Sequence, residues 1–170
     1  MWPADNLRVR GVMLRISLGA GSRMPAIRDV VICVFRHRGR ILVAQGHDGL
    51  TGERFFRPVG GGIEFGELAE DSIRREVMEE LGLEIAEPVL LGVLENLFEF
   101  RRKPGHEIVF VFDARFVDAS AYLRRELPIS EPGWDGPARW LSLEEPSPFP
   151  IHPNGLVDLL RRSGGDSTGR

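Results

Sequence analysis

Within the stretch GGGIEFGELAEDSIRREVMEELGLEI, residues 60–85, the segment REVMEE sets Glu76, Glu79 and Glu80 three and four residues apart. In a helix those intervals put all three carboxylates on one face, where each like-charged pair costs about 0.2–0.5 kcal/mol. Gly82 reads as the stop signal, so the acids fall in the last turns, at the negative end of the helix macrodipole. Something positive is needed there to offset them. A hard divalent cation, which takes oxygen ligands, would suit the task. A solvated acidic face is the commoner explanation for acids on a helix. The glycines Gly60, Gly61 and Gly62 just before it let backbone approach a site closely and turn tightly, although a glycine triplet alone more often marks a flexible loop.

The elements that must position these residues follow from periodicity. Asp29–Phe35 (DVVICVF) is the first convincing strand, and a turn at His37–Gly39 leads to a second at 40–45, for which a hairpin is the simplest pairing. A loop rich in Gly and Asp runs to about Gly52, and a strand at Phe55–Val59 feeds the glycines. The helix spans roughly 67–81, with Ile73, Val77 and Leu81 as a core-facing stripe and the acids on the opposite face. Two long strands follow, Val89–Phe100 and Glu107–Val117, joined by the basic turn RRKPG. A Pro-rich loop, a short strand at Ala138–Leu141 and a helix near Asn154–Arg162 complete the chain. This order predicts an α+β fold, a mixed sheet sandwiched between helices.

The 170 residues, 42% hydrophobic and 28% charged, make one domain with enough chain for a real core. Its bounds read as 24–162, with an extension over 1–23 that serves equally as an extra strand, a mobile arm or an upstream start, and a tail over 163–170 of disordered composition. A net charge of -3 predicts no general affinity for nucleic acid or anionic membrane, so any phosphate chemistry is local. The single cysteine, Cys33, sits in an apolar run and reads as a buried, inert thiol. With no apolar run of membrane-spanning length, a reducing cytoplasmic setting is the default expectation.

Gly61, Glu67 after five intervening residues, and then after seven more Arg75, Glu76, Val77, Glu79, Glu80, Gly82 and Leu83 match every specified position of the Nudix box, Gly-x5-Glu-x7-Arg-Glu-U-x-Glu-Glu-x-Gly-U with U aliphatic. Average residue usage yields such a match on the order of once in 10⁹ offsets, which outweighs the solvated-face reading. The chain therefore resembles the Nudix hydrolases, at high specificity in the box and at fold level over 27–162. The resemblance implies Mg²⁺, with Mn²⁺ as substitute, held by Glu76, Glu79, Glu80 and the Gly60 carbonyl. It also implies that Arg75 pairs with Glu67 and holds a catalytic carboxylate in place, which suits their two-turn separation.

In this family the general base is a box glutamate or an acid from a later loop. Glu79 is the first choice, with Glu107, Glu126 and Glu131 as outer candidates. Arg57 reads equally as a phosphate clamp or a surface residue, and Arg101–Lys103 as a solvated turn. In MutT-type members an Asn at the start of the last helix reads a purine edge; Asn154 stands there, and serves equally as an N-cap. Phe98 and Phe100 offer stacking surfaces, with strand alternation expected to bury one of them. They occupy the place where ADP-ribose enzymes tend to carry proline and dinucleoside polyphosphate enzymes tyrosine. The resemblance thus implies a nucleoside di- or triphosphate pyrophosphohydrolase acting on a small nucleotide. Its alternatives are a hydrolase of ADP-ribose or a dinucleoside polyphosphate, and a Nudix-fold module that binds a nucleotide without cleaving it. A homodimer is left open.

Overall fold

The computed structural model describes residues 26–164 except 132, together with the pairing of Arg8–Val9 (β1) with Val12–Met13 (β2). Apart from that pairing, the extension expected over 1–23 lies outside the described residues, as does the expected tail beyond residue 164.

The apolar run at β3 (Arg28–Val34) is buried from Val30 onward on both faces, as expected for a strand with neighbours above and below. It pairs in parallel with β8 (Lys103–Phe116), which pairs antiparallel with β7 (Ile85–Phe100). The hairpin expected of 29–35 with 40–45 is therefore absent. β3 belongs to this three-stranded sheet, and the chain changes sheet near Phe35 to form a short hairpin of β4 (Arg36–His37) with β5 (Arg40–His47). β5 also pairs with β6 (Arg54–Arg57) and β10 (Ala138–Ser142), and β10 with β9 (Glu126–Leu127). The expected mixed sheet is thus divided into two, with the helices α1 (Ala69–Leu81) and α2 (Leu156–Ser163) completing an α+β fold.

Alternation along β3 feeds two cores. Val31, Cys33 and Phe35 join Ile73 and Val77 of α1 with Phe112, whereas Val30, Ile32 and Val34 join Ile41, Val43, Phe56, Val109 and Val111 with Leu156 and Leu160 of α2. Each such side chain contributes about 1.5–3 kcal/mol on burial. Cys33 is fully buried, which pushes its thiol pKa well up and leaves it inert.

Two features shape the site. The strand expected at 55–59 ends at Arg57, and the chain then crosses to the free edge of β3, where Cys33 N–H donates to Val59 O and Val31 N–H to Gly61 O, both at 2.9 Å. Ile63 N–H in turn donates to Asp29 O at 3.0 Å, so 59–63 lies antiparallel along that edge. The basic turn is two residues long, Arg101 and Arg102 at φ 52° and 58°, with Lys103 to Gly105 already in β8. Buried Asp48 holds this tip: its carboxylate accepts the Arg101 N–H at 2.6 Å and the Leu50 N–H at 2.7 Å.

Candidate active site

The α1 sequence predicts a helix with one packed stripe, and Ile73 and Val77 are fully buried. Gly82, at φ 65°, ends it in the left-handed conformation, with its N–H donating to Met78 O at 2.9 Å. Of the three acids expected opposite that stripe, however, only Glu79 lies there. Glu76 and Glu80 are 9% and 1% exposed, because their flank of the helix presses against the glycine strand along β3, while the Glu79 side chain is 60% exposed. Glycine is what admits Glu76 and lets this strand lie close on β3. A Cβ on Gly61 would fall 2.5 Å from the Glu76 carboxyl carbon, and one on Gly60, at φ 137°, 2.2 Å from Val31 O.

Arg75 organises the exposed side. Its Nε and Nη2 donate to the two oxygens of Glu67, both at 2.9 Å, a bidentate pair. Nη1 reaches Glu76 at 2.8 Å and Glu79 at 3.2 Å, and Nη2 also donates to Gly62 O at 3.0 Å. Glu67 further accepts from the Ser72 hydroxyl at 2.5 Å. The guanidinium, helped by Ser72, holds the Glu67 carboxyl down at about 2, and the carboxylates hold the guanidinium charged.

Glu80 is the opposite case. Its Oε2 accepts the Gly60 N–H at 2.9 Å, but its buried Oε1 has no partner among the described residues. Burial, and then the carboxylate of Glu131, push its pKa up to about 8; Glu76 is raised chiefly by burial as well. Glu131 comes from the Pro-rich loop, whose Ser130 N–H donates to Glu80 O at 2.8 Å. There it lines a cavity of about 460 Å³ with Glu126, Ile129 and Trp134.

The donor set fits a hard cation, since an orphaned buried carboxylate oxygen faced by further carboxylates is what a divalent ion would satisfy. The cage is not preassembled: among the described residues no three acidic or imidazole groups converge on one point. Arg75 engages Glu76 and Glu79, and the Gly60 amide engages Glu80, so ligation requires the first two to turn from the guanidinium. The Gly60 carbonyl is left free by the β3 edge, which uses the carbonyls of Val59 and Gly61.

The remaining sequence candidates fall elsewhere. Glu107 is 4% exposed, opposite Asn96 in the β7–β8 register; it points with Val109 toward the core under α2 and away from α1. Arg57 is half-buried beside His152, whose pKa burial and then Arg57 depress. Phe98 and Phe100 lie two residues apart, so they share one face and alternation separates neither; both are half-buried. Phe98 covers Gly105 and Phe100 meets Phe55 edge-on at 6.4 Å. Asn154 is exposed and is not the cap of α2, a position held by Gly155 without a side-chain bond. Sequence reasoning overlooked Asp48, Asn96, Ser72 and His152. Asn96 carried a signal: it is the polar member of the inward set Leu94, Asn96, Phe98, Phe100.

Residues 25–161 match the NUDIX domain family, so the chain belongs to it, and the enzyme class this defines is that of the Nudix hydrolases. The chain is 27% identical over 144 residues to the uncharacterized Nudix hydrolase YvcI of Bacillus subtilis (strain 168), covering 84% of each. In fold it is similar to a MutT NUDIX hydrolase from Burkholderia pseudomallei (TM-score 0.59, 22% identity, 80% of this chain and 97% of that one). It is also similar to an ADP-ribose pyrophosphatase from Streptococcus suis (TM-score 0.55, 15% identity, 84% and 95%).

Proposed function

We propose that the protein is a Mg²⁺-dependent pyrophosphohydrolase of a nucleoside di- or triphosphate. The observation that carries this reading is Glu80, a buried carboxylate with one oxygen unsatisfied among the described residues, next to Glu76 and the Gly61 backbone that admits Glu76. Glu76, Glu79, Glu80 and the Gly60 carbonyl would hold Mg²⁺ or Mn²⁺. When bound, such an ion supplies charge neutralisation for the phosphate oxygens and acidifies water.

The chain's own part is orientation and proton transfer. Arg75, fixed by Glu67, holds the exposed Glu79 beside the site through one carboxylate oxygen until a cation takes that carboxylate over. Glu79 takes the proton of the attacking water; the water oxygen bonds to phosphorus, the anhydride P–O bond breaks, and the leaving phosphate carries away the electron pair. Glu131, beside Glu80 at the cavity, is the outer acid best placed to assist, whereas Glu107 faces another part of the fold. A soluble cytoplasmic setting accords with a buried free Cys33 and with no helix, among the described residues, long and apolar enough to cross a membrane.

A panel of nucleoside di- and triphosphates, ADP-ribose and dinucleoside polyphosphates, assayed with Mg²⁺ or Mn²⁺ and with chelator, tests the reading. We expect metal-dependent cleavage fastest on a nucleoside di- or triphosphate. Preference for ADP-ribose or a dinucleoside polyphosphate would move the substrate class, and binding without turnover would leave a nucleotide-binding module.

A further inference from the structure

Asn96 and Glu107 face each other across β7 and β8, 5% and 4% exposed, and their bonds are slack. Asn96 Nδ2 donates to Glu107 Oε2 at 3.4 Å, Asn154 N–H donates to Asn96 Oδ1 at 3.4 Å, and Arg28 stands 3.7 Å from Glu107 Oε1. A buried carboxylate so weakly engaged retains capacity for donors, as does the second N–H of the amide. The amide cannot be reversed, because Oδ1 would then face the carboxylate. Beside the pair stand Phe98 and Phe100 on the same face of β7, and His152, packed edge-on against Phe55 at 5.6 Å with its buried Nδ1 unpartnered among the described residues. Arg57, near His152, precedes Gly60 by three residues, a reach of at most about 10 Å.

One N–H of Asn96 followed by the two oxygens of Glu107 is a donor–acceptor–acceptor sequence. Its complement is a ring edge that offers a carbonyl and then two adjacent N–H donors, as guanine does. Adenine and cytosine would set a ring lone pair against the carboxylate, and hypoxanthine lacks the second donor. We infer that Asn96 and Glu107 form a guanine-reading subsite, flanked by His152 and the phenylalanines, in place of the exposed Asn154. The inference rests on the nucleotide-hydrolase reading, since it supplies the base of the same substrate.

Calorimetric titration with GMP, IMP and AMP in the absence of metal tests the subsite apart from the chemistry, because none of the three carries an anhydride. The expected result is GMP binding at least tenfold tighter than IMP or AMP. Glu107→Gln should bring the three within about threefold of one another while the circular dichroism spectrum is retained. Asn96→Asp, which removes the donor at nearly constant volume, should weaken GMP at least tenfold. Absence of GMP binding at millimolar concentration, equal affinity for the three in the wild type, or a preference that survives Glu107→Gln would each overturn the inference. A GMP preference without hydrolysis of any nucleotide would overturn the hydrolase reading and leave the subsite standing. Hydrolysis with no base preference would do the reverse.

Discussion

Glu80 and Arg75 show how one helix turn can hold charge in two ways. Glu80 is buried, with one oxygen unpartnered among the described residues and its pKa raised to about 8. For a carboxyl raised above its unfolded value, the stability it contributes is present below the ordinary carboxylate range and is lost as pH climbs through about 8. The metal-free protein should therefore lose stability from about pH 5 to pH 8, and Glu80→Gln should flatten that slope and stabilise the metal-free protein at pH 8 by about 1–3 kcal/mol. Urea titrations at several pH values read this directly; an unchanged slope would show that Glu80 is not the titrating group. Arg75, by contrast, spans Glu67, Glu76 and Glu79 with a planar fork that lysine lacks. Arg75→Lys should lower kcat more than tenfold with KM little changed, whereas a rise in KM alone would make it a substrate clamp.

At the scale of elements, α1 can seat Glu76 only because Gly61 lies beneath it. Gly60 adopts φ 137° with its Cα against β3, so Gly60→Ala adds backbone strain and a clash with Val31 O. It should cost about 2–4 kcal/mol, read as a lowered urea midpoint; a loss under 1 kcal/mol would mean that the strand can shift away from β3. Much of this element was legible, because the Glu and Gly spacings define the helix, its end and the turn before it. The burial of Glu76 and Glu80 was not, since periodicity places them only about 60° from the stripe of Ile73 and Val77 and cannot say what packs on that flank. Nor was the partner of β3, because parallel pairing with β8 joins residues almost 80 positions apart while a local turn invites a hairpin. The N-cap role open to Asn154 falls to Gly155 instead, because the helix begins at Leu156.

At the scale of the molecule, the β3–β8–β7 sheet, the sheet built on β5, and the helices α1 and α2 leave the acids on one side of the β3 edge and the Asn96–Glu107 pair on the other, joined through Arg57 and the glycines. If the box acids are a cation site, the melting temperature with and without saturating Mn²⁺ should differ between the wild type and the variant carrying Gln at 76, 79 and 80. An ion that binds the native state alone at a hundred times its Kd stabilises by about 2.7 kcal/mol, or roughly 5–10 °C for a domain of this size. A rise of that order is expected in the wild type and none in the triple variant. An equal rise in both would contradict this and place the cation elsewhere.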